Sequence, residues 1–160
     1  MLSCNGGNKV IQFTSDIKYD DFCIQLDFYM NENTEDKISE FEREMYELER
    51  RLNSIGVVVS DYVDITVKAE DLNAKFRMAV RKEDAAKFAS DFENFYTEAG
   101  SGFEAELSDG EQYIRFRKYD ISYNTLNFKF CQNGMTLEAE KELPHYSFTE
   151  LFNEVYRLKL

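Results

Sequence analysis

The chain has one proline, Pro144, one histidine, His145, and no tryptophan. A single proline and seven glycines among 160 residues leave little material for linkers, so one α+β domain spanning residues 1–160 is expected. With one histidine, no His-rich ligand set can form. A serine or cysteine nucleophile would have only His145 as its base, and a loop histidine without a task is the simpler reading.

The cysteines, Cys4, Cys23 and Cys131, are odd in number and widely spaced, with no C-x-x-C. That argues against a disulfide framework and against a zinc site, and it fits a reducing, cytoplasmic setting. No apolar run approaches membrane-span length, so no membrane partner is expected. The opening "MLSC" ends like a lipoprotein signal, but the hydrophobic stretch such a signal needs is missing, and a plain soluble start is expected. Phosphate-loop, dinucleotide, nucleophile-elbow, H-E-x-x-H and EF-hand patterns are all lacking. "NGGN" near the start is too bare for a phosphate loop. No catalytic residue, cofactor or metal ligand can be named, and the sequence points away from an enzyme. Carboxylate chemistry is the open exception, because acids are plentiful.

What is present is apolar, aromatic and acidic. Hydrophobic residues at 43% and aromatics at 15% mark a folded chain rather than a disordered one. The formal net charge is −12, a field that repels phosphate backbones and attracts cationic surfaces. Direct nucleic-acid binding is therefore not expected.

Strict alternation marks strands in "FCIQLDFYM", "YVDITVK", "AKFRMAVR" and "FEAEL". Asp109-Gly110 signals a hairpin into "QYIRFRK", and Asn133-Gly134 signals another between Ser122–Cys131 and "MTLEAEKEL". A short strand is expected around Val10–Phe13. Helices are expected over Glu35–Ser54, over Glu83–Ala99, and after Pro144, where Ser147 and Glu150 have capping-box spacing. From Asp20 the order is strand, helix, strand, strand, helix, strand. That is a ferredoxin-like βαββαβ core, extended by a C-terminal β-meander and helix, with helices mainly on one face of an antiparallel sheet. Leu26, Phe28, Phe41, Leu48, Val63, Ile65, Phe76, Met78, Phe88, Phe92, Phe103 and Leu107 are the expected core.

"EFEREMYELERRL", Glu40 to Leu52, carries an apolar stripe at alternating steps of three and four. It is too short for a dependable coiled coil and is expected to cover the sheet. Its outer face is acidic. Glu40, Glu44 and Glu47, with Tyr46 among them as an aromatic anchor, form a candidate docking surface for a basic protein. The strand acids Glu138 and Glu140 form a second candidate patch.

"YIRFRKY" is the one basic, aromatic stretch, and with Lys75 and Arg77 it offers a base-stacking alternative. Acidic residues on neighbouring strands favour cross-strand ion pairs instead, Arg77 with Asp27 or Asp64 and Arg115 or Arg117 with Glu104 or Glu106. The function expected is non-catalytic binding of a basic surface on a nucleic-acid-handling partner such as a nuclease, in the manner of an immunity protein or inhibitor. The alternative is a small-molecule or nucleotide site, or a carboxylate-dependent enzyme, on the outward sheet face.

Overall fold

A computed structural model describes residues 10–31, 61–119 and 124–159. The expected helix over Glu35–Ser54 lies outside these residues, and so do Phe41, Leu48 and the candidate residues Glu40, Glu44, Tyr46 and Glu47.

Period-2 patterning builds two antiparallel sheets. The first joins β1 (Val10–Tyr19), β2 (Phe22–Asn31), β3 (Tyr62–Ala69) and β4 (Leu72–Ala79) in sequence order. Next comes α1 (Lys82–Thr97). The second sheet joins β5 (Glu104–Ser108), β6 (Tyr113–Lys118), β7 (Asn124–Gln132) and β8 (Met135–Leu143), again in sequence order. A 3₁₀ turn at His145–Phe148 leads into α2 (Thr149–Val155).

In β2 every second side chain from Phe22 to Met30 is buried and the intervening ones are not. Register carries the pattern across the first sheet, where Leu26 faces Ile65 and Ile65 faces Phe76. A slip of one residue would turn the whole apolar set to water. Two-residue turns fix the register of β1 on β2, of β3 on β4 and, in the second sheet, of β7 on β8. Asp20 reverses the chain at φ 59° and Glu70 at φ 42°, while Asn133-Gly134 takes φ 53° and 79°. The last pair matches the Asn-Gly preference of hairpins that need φ > 0 at both positions.

The apolar faces of the two sheets share one buried cluster with the helices. Phe22 lies 6.2 Å from Phe128, and Phe76 lies 5.4 Å from Phe130. The buried face of α1, Ala85, Phe88, Ala89, Phe92 and Phe95, meets Phe116 of β6 edge-on at 5.0 Å from Phe92. Phe148 closes on Phe95 at 5.3 Å and 90°, the T-shaped arrangement that aromatic quadrupoles favour. Lys118, buried, donates from Nζ to the Glu98 carbonyl at the end of α1. α1 has no basic residue in its last turn, so a β6 lysine supplies the cation that a helix C-terminus favours.

Several expectations are corrected. A ferredoxin-like sheet would unite β2, β3, β4 and β5, but β5 begins the second sheet and β1 takes its place in the first. The helices do not share one face either: α1 packs on β5 and β6, and α2 packs against β1 and α1. Strand β1 runs six residues beyond Phe13, because Ser15, fully buried among inward-facing neighbours, interrupts the apolar alternation that would have revealed it. Phe103 is half-buried, whereas Ala105 and Leu107 are fully in the core. No capping box forms after Pro144. Ser147 Oγ is buried without a partner, and the Glu150 carboxylate accepts the Asp16 backbone N–H at 2.7 Å instead. A tertiary contact has displaced the local one.

Candidate functional site

The outward faces of the two sheets differ in how their charges are paired. On the first sheet, Asp27 stands directly opposite Asp64, and Arg77 opposite Asp64 on the other side. Arg77 binds both Asp64 oxygens, at 2.7 and 3.0 Å, and its guanidinium lies 3.8 Å over the Tyr62 ring. Tyr62 stacks in turn on Tyr29 at 5.2 Å and 11°. Two aspartates facing each other across a ladder repel. Arg77 offsets one of them, and Thr14 Oγ1 donates to Asp27 at 3.1 Å.

Beside this row lies an open cleft of about 450 Å³, lined by Gln25, Asp27, Asp64, Thr66, Lys75, Arg77 and Gln132. Two carboxylates and two cations leave it near neutrality. It has no nucleophile–base pair.

On the second sheet, Arg115 holds Glu106 at 2.6 Å and Arg117 holds Glu104 at 2.6 Å. Both expected groups of cross-strand ion pairs therefore form, Arg77 choosing Asp64. The arginines do not converge on a common pocket: Arg77 lines the cleft on one sheet, and Arg115 and Arg117 are tied to glutamates on the other. These exposed pairs contribute under about 1 kcal/mol each.

With both arginines committed, a row of acids on β8 is left without ion pairs among the described residues. Glu138 and Glu140 point to one face of β8, both exposed, and Glu142 continues the row. Glu138 faces Lys129, Glu140 faces Asn127 and Glu142 faces Thr125 in register, and none of the three makes an ion pair among the described residues. The two residues named from sequence are thus brought together, and Glu142 joins them. Its signal was the i+2 spacing in "LEAEKEL", where three acids alternate with Leu137, Ala139 and Lys141.

His145 stacks on Tyr96 at 4.1 Å. Burial, helped by the nearby Lys118 charge, pushes its pKa below the ordinary histidine value, which keeps it neutral as a packing group. Cys23 and Cys131 are free thiols. Among the described residues, no group of three His, Cys, Asp or Glu is arranged to hold a metal ion, and no helix is long and apolar enough to cross a membrane. Compared with protein-family models, with curated proteins and with solved structures, the chain finds no match.

Proposed function

We propose that this chain is a non-catalytic cytoplasmic binding protein that presents an acidic surface to a basic partner. The observation that carries the proposal is the row Glu138, Glu140 and Glu142, exposed on one face of β8 and without ion pairs among the described residues, while the arginines of β6 are committed to Glu104 and Glu106. The net charge of −12 adds a long-range field of the same sign. Carboxylates spaced along an extended strand can stand where phosphates would sit on a nucleic-acid-handling enzyme, as an immunity protein or inhibitor would present them. Such a field speeds encounter and fades with salt. Free Cys23 and Cys131 suit a reducing compartment.

The test is capture of partners on the immobilised chain at low and high salt, beside the variant Glu138→Lys/Glu140→Lys/Glu142→Lys. Basic proteins are expected at low salt, with loss in high salt and in the variant. Equal capture by the variant would remove β8 from the mechanism.

A second reading is favoured by the cleft beside Asp27 and Asp64. A zwitterionic small molecule could meet both signs of charge there, on an Arg77 whose guanidinium is held over the Tyr62 ring. A saturable rise in Tm with such a ligand, lost in Lys75→Ala, would support it.

A further inference from the structure

Of the four sheet edges, three are closed in different ways, and one is open among the described residues. At β1 the C-terminal segment covers the edge: Glu150 accepts from the Asp16 N–H at 2.7 Å, and Arg157 donates to the Gln12 carbonyl at 3.4 Å. At β4 the second sheet reaches over. Gln132 accepts from the Arg77 N–H and Asp109 from the Ala79 N–H, both at 3.1 Å, and Gln112 donates to the Arg77 carbonyl at 3.0 Å. β5 is only five residues long and is backed by α1.

β8 has none of these protections among the described residues. It is nine residues long and, among the described residues, pairs only with β7 and has no side chain hydrogen-bonded to its backbone from the other side. A long exposed edge is a template for another strand. Its two faces differ in chemistry. Glu138, Glu140 and Glu142 stand on the outer face, and half-buried Leu137 and Ala139 on the inner one. No proline interrupts it.

We propose that the basic partner is held by strand addition: an extended segment of the partner pairs with the open edge of β8. Its lysines or arginines, at alternate positions, face Glu138, Glu140 and Glu142, and the apolar residues between them lie beside Leu137 and Ala139. Strand spacing of about 4.8 Å brings such side chains into cross-strand contact, while main-chain hydrogen bonds supply affinity and the alternation supplies specificity. The proposal rests on the acidic-surface function above and says how that surface is read. A row of acids could also serve only to keep strands away, and the experiment separates the two.

The probe is a short acetylated peptide alternating lysine and valine. Its controls are the same peptide N-methylated at every backbone position, which keeps every charge but leaves neither edge able to donate to a ladder, and a peptide with the same residues in blocks. Binding to the intact chain is followed by NMR shifts and titration. Strand addition predicts shifts concentrated at Met135–Leu143, and affinity about tenfold or more weaker for both controls and for Glu138→Lys/Glu140→Lys/Glu142→Lys. If the N-methylated peptide binds as well as the parent while charge reversal abolishes binding, strand addition is wrong and the acidic surface stands. If N-methylation abolishes binding and charge reversal does not, strand addition stands and the acidic reading fails. No binding at millimolar peptide, or shifts confined to the cleft beside Asp64, overturns both at β8.

Discussion

Asp109 shows how one side chain can tie a turn to a sheet at an electrostatic cost. It sits at the exposed turn between β5 and β6, yet its carboxylate accepts from the Ala79 N–H and from Gln112 Nε2, each at 3.1 Å. Burial raises its pKa above the ordinary carboxylate value, although those hydrogen bonds pull the other way. The folded chain then binds this proton more readily than the unfolded chain. The ionised form is penalised at neutral pH, and the penalty is relieved as pH falls through the raised folded value toward 3.8. Asp109→Asn, which keeps an accepting oxygen, is therefore expected to be at least as stable as the parent at neutral pH, with its advantage shrinking on acidification. Asp109→Ala leaves the Ala79 N–H without its acceptor and should cost about 1 kcal/mol. Urea denaturation across pH checks both. The hairpin was legible as Asp109-Gly110, but the destination of the carboxylate was not, because its acceptor role depends on a strand thirty residues earlier in the chain.

Elements were legible where one periodicity ran without interruption. β2, β3 and β4 alternate cleanly, and α1 carries a broad apolar stripe, so the expected Glu83–Ala99 differs from the observed Lys82–Thr97 only at its ends. Where a buried polar residue breaks the period, as Ser15 does in β1, the pattern marks only the first part of the strand. Where a local motif met a stronger tertiary partner, as Glu150 does at Asp16, the expected cap did not form. α1 depends on its stripe rather than on its caps, since Arg81 at its N-cap makes no side-chain capping bond. Phe92 is fully buried between Phe88, Phe95 and Phe116. Phe92→Ala should lower unfolding free energy by about 3–5 kcal/mol, because the ring's burial is lost and a cavity remains. Loss of less than about 1 kcal/mol by chemical denaturation would show that the helix is held some other way.

At the scale of the whole molecule the sequence misled about assembly. Strand, helix and strand in the order of a split βαβ unit do not say which strands meet, and in both sheets every strand pairs with its neighbour in sequence, β3 with β2 across the long connection between Asn31 and Tyr62 included. Glu138 and Glu140 could be named because their row is local, whereas their lack of ion pairs among the described residues depends on where Arg115 and Arg117 find partners across the sheet. Gln112 joins the two sheets through one side chain. It donates to the Arg77 carbonyl and to Asp109, and it accepts from the Cys131 N–H at 3.0 Å, so a single amide spans an edge of one sheet and a strand of the other. Local opening of β4 should therefore disturb β7, and the β4 edge and the end of β7 that Gln112 joins should open together. In hydrogen–deuterium exchange, the amides of Arg77, Ala79 and Cys131 are expected to share one opening free energy, although Arg77 and Ala79 lie on an edge strand. Gln112→Ala should speed all three together and leave the slow amides of β2 nearly unchanged. If Cys131 kept its protection while Arg77 lost it, the halves of the molecule would breathe independently.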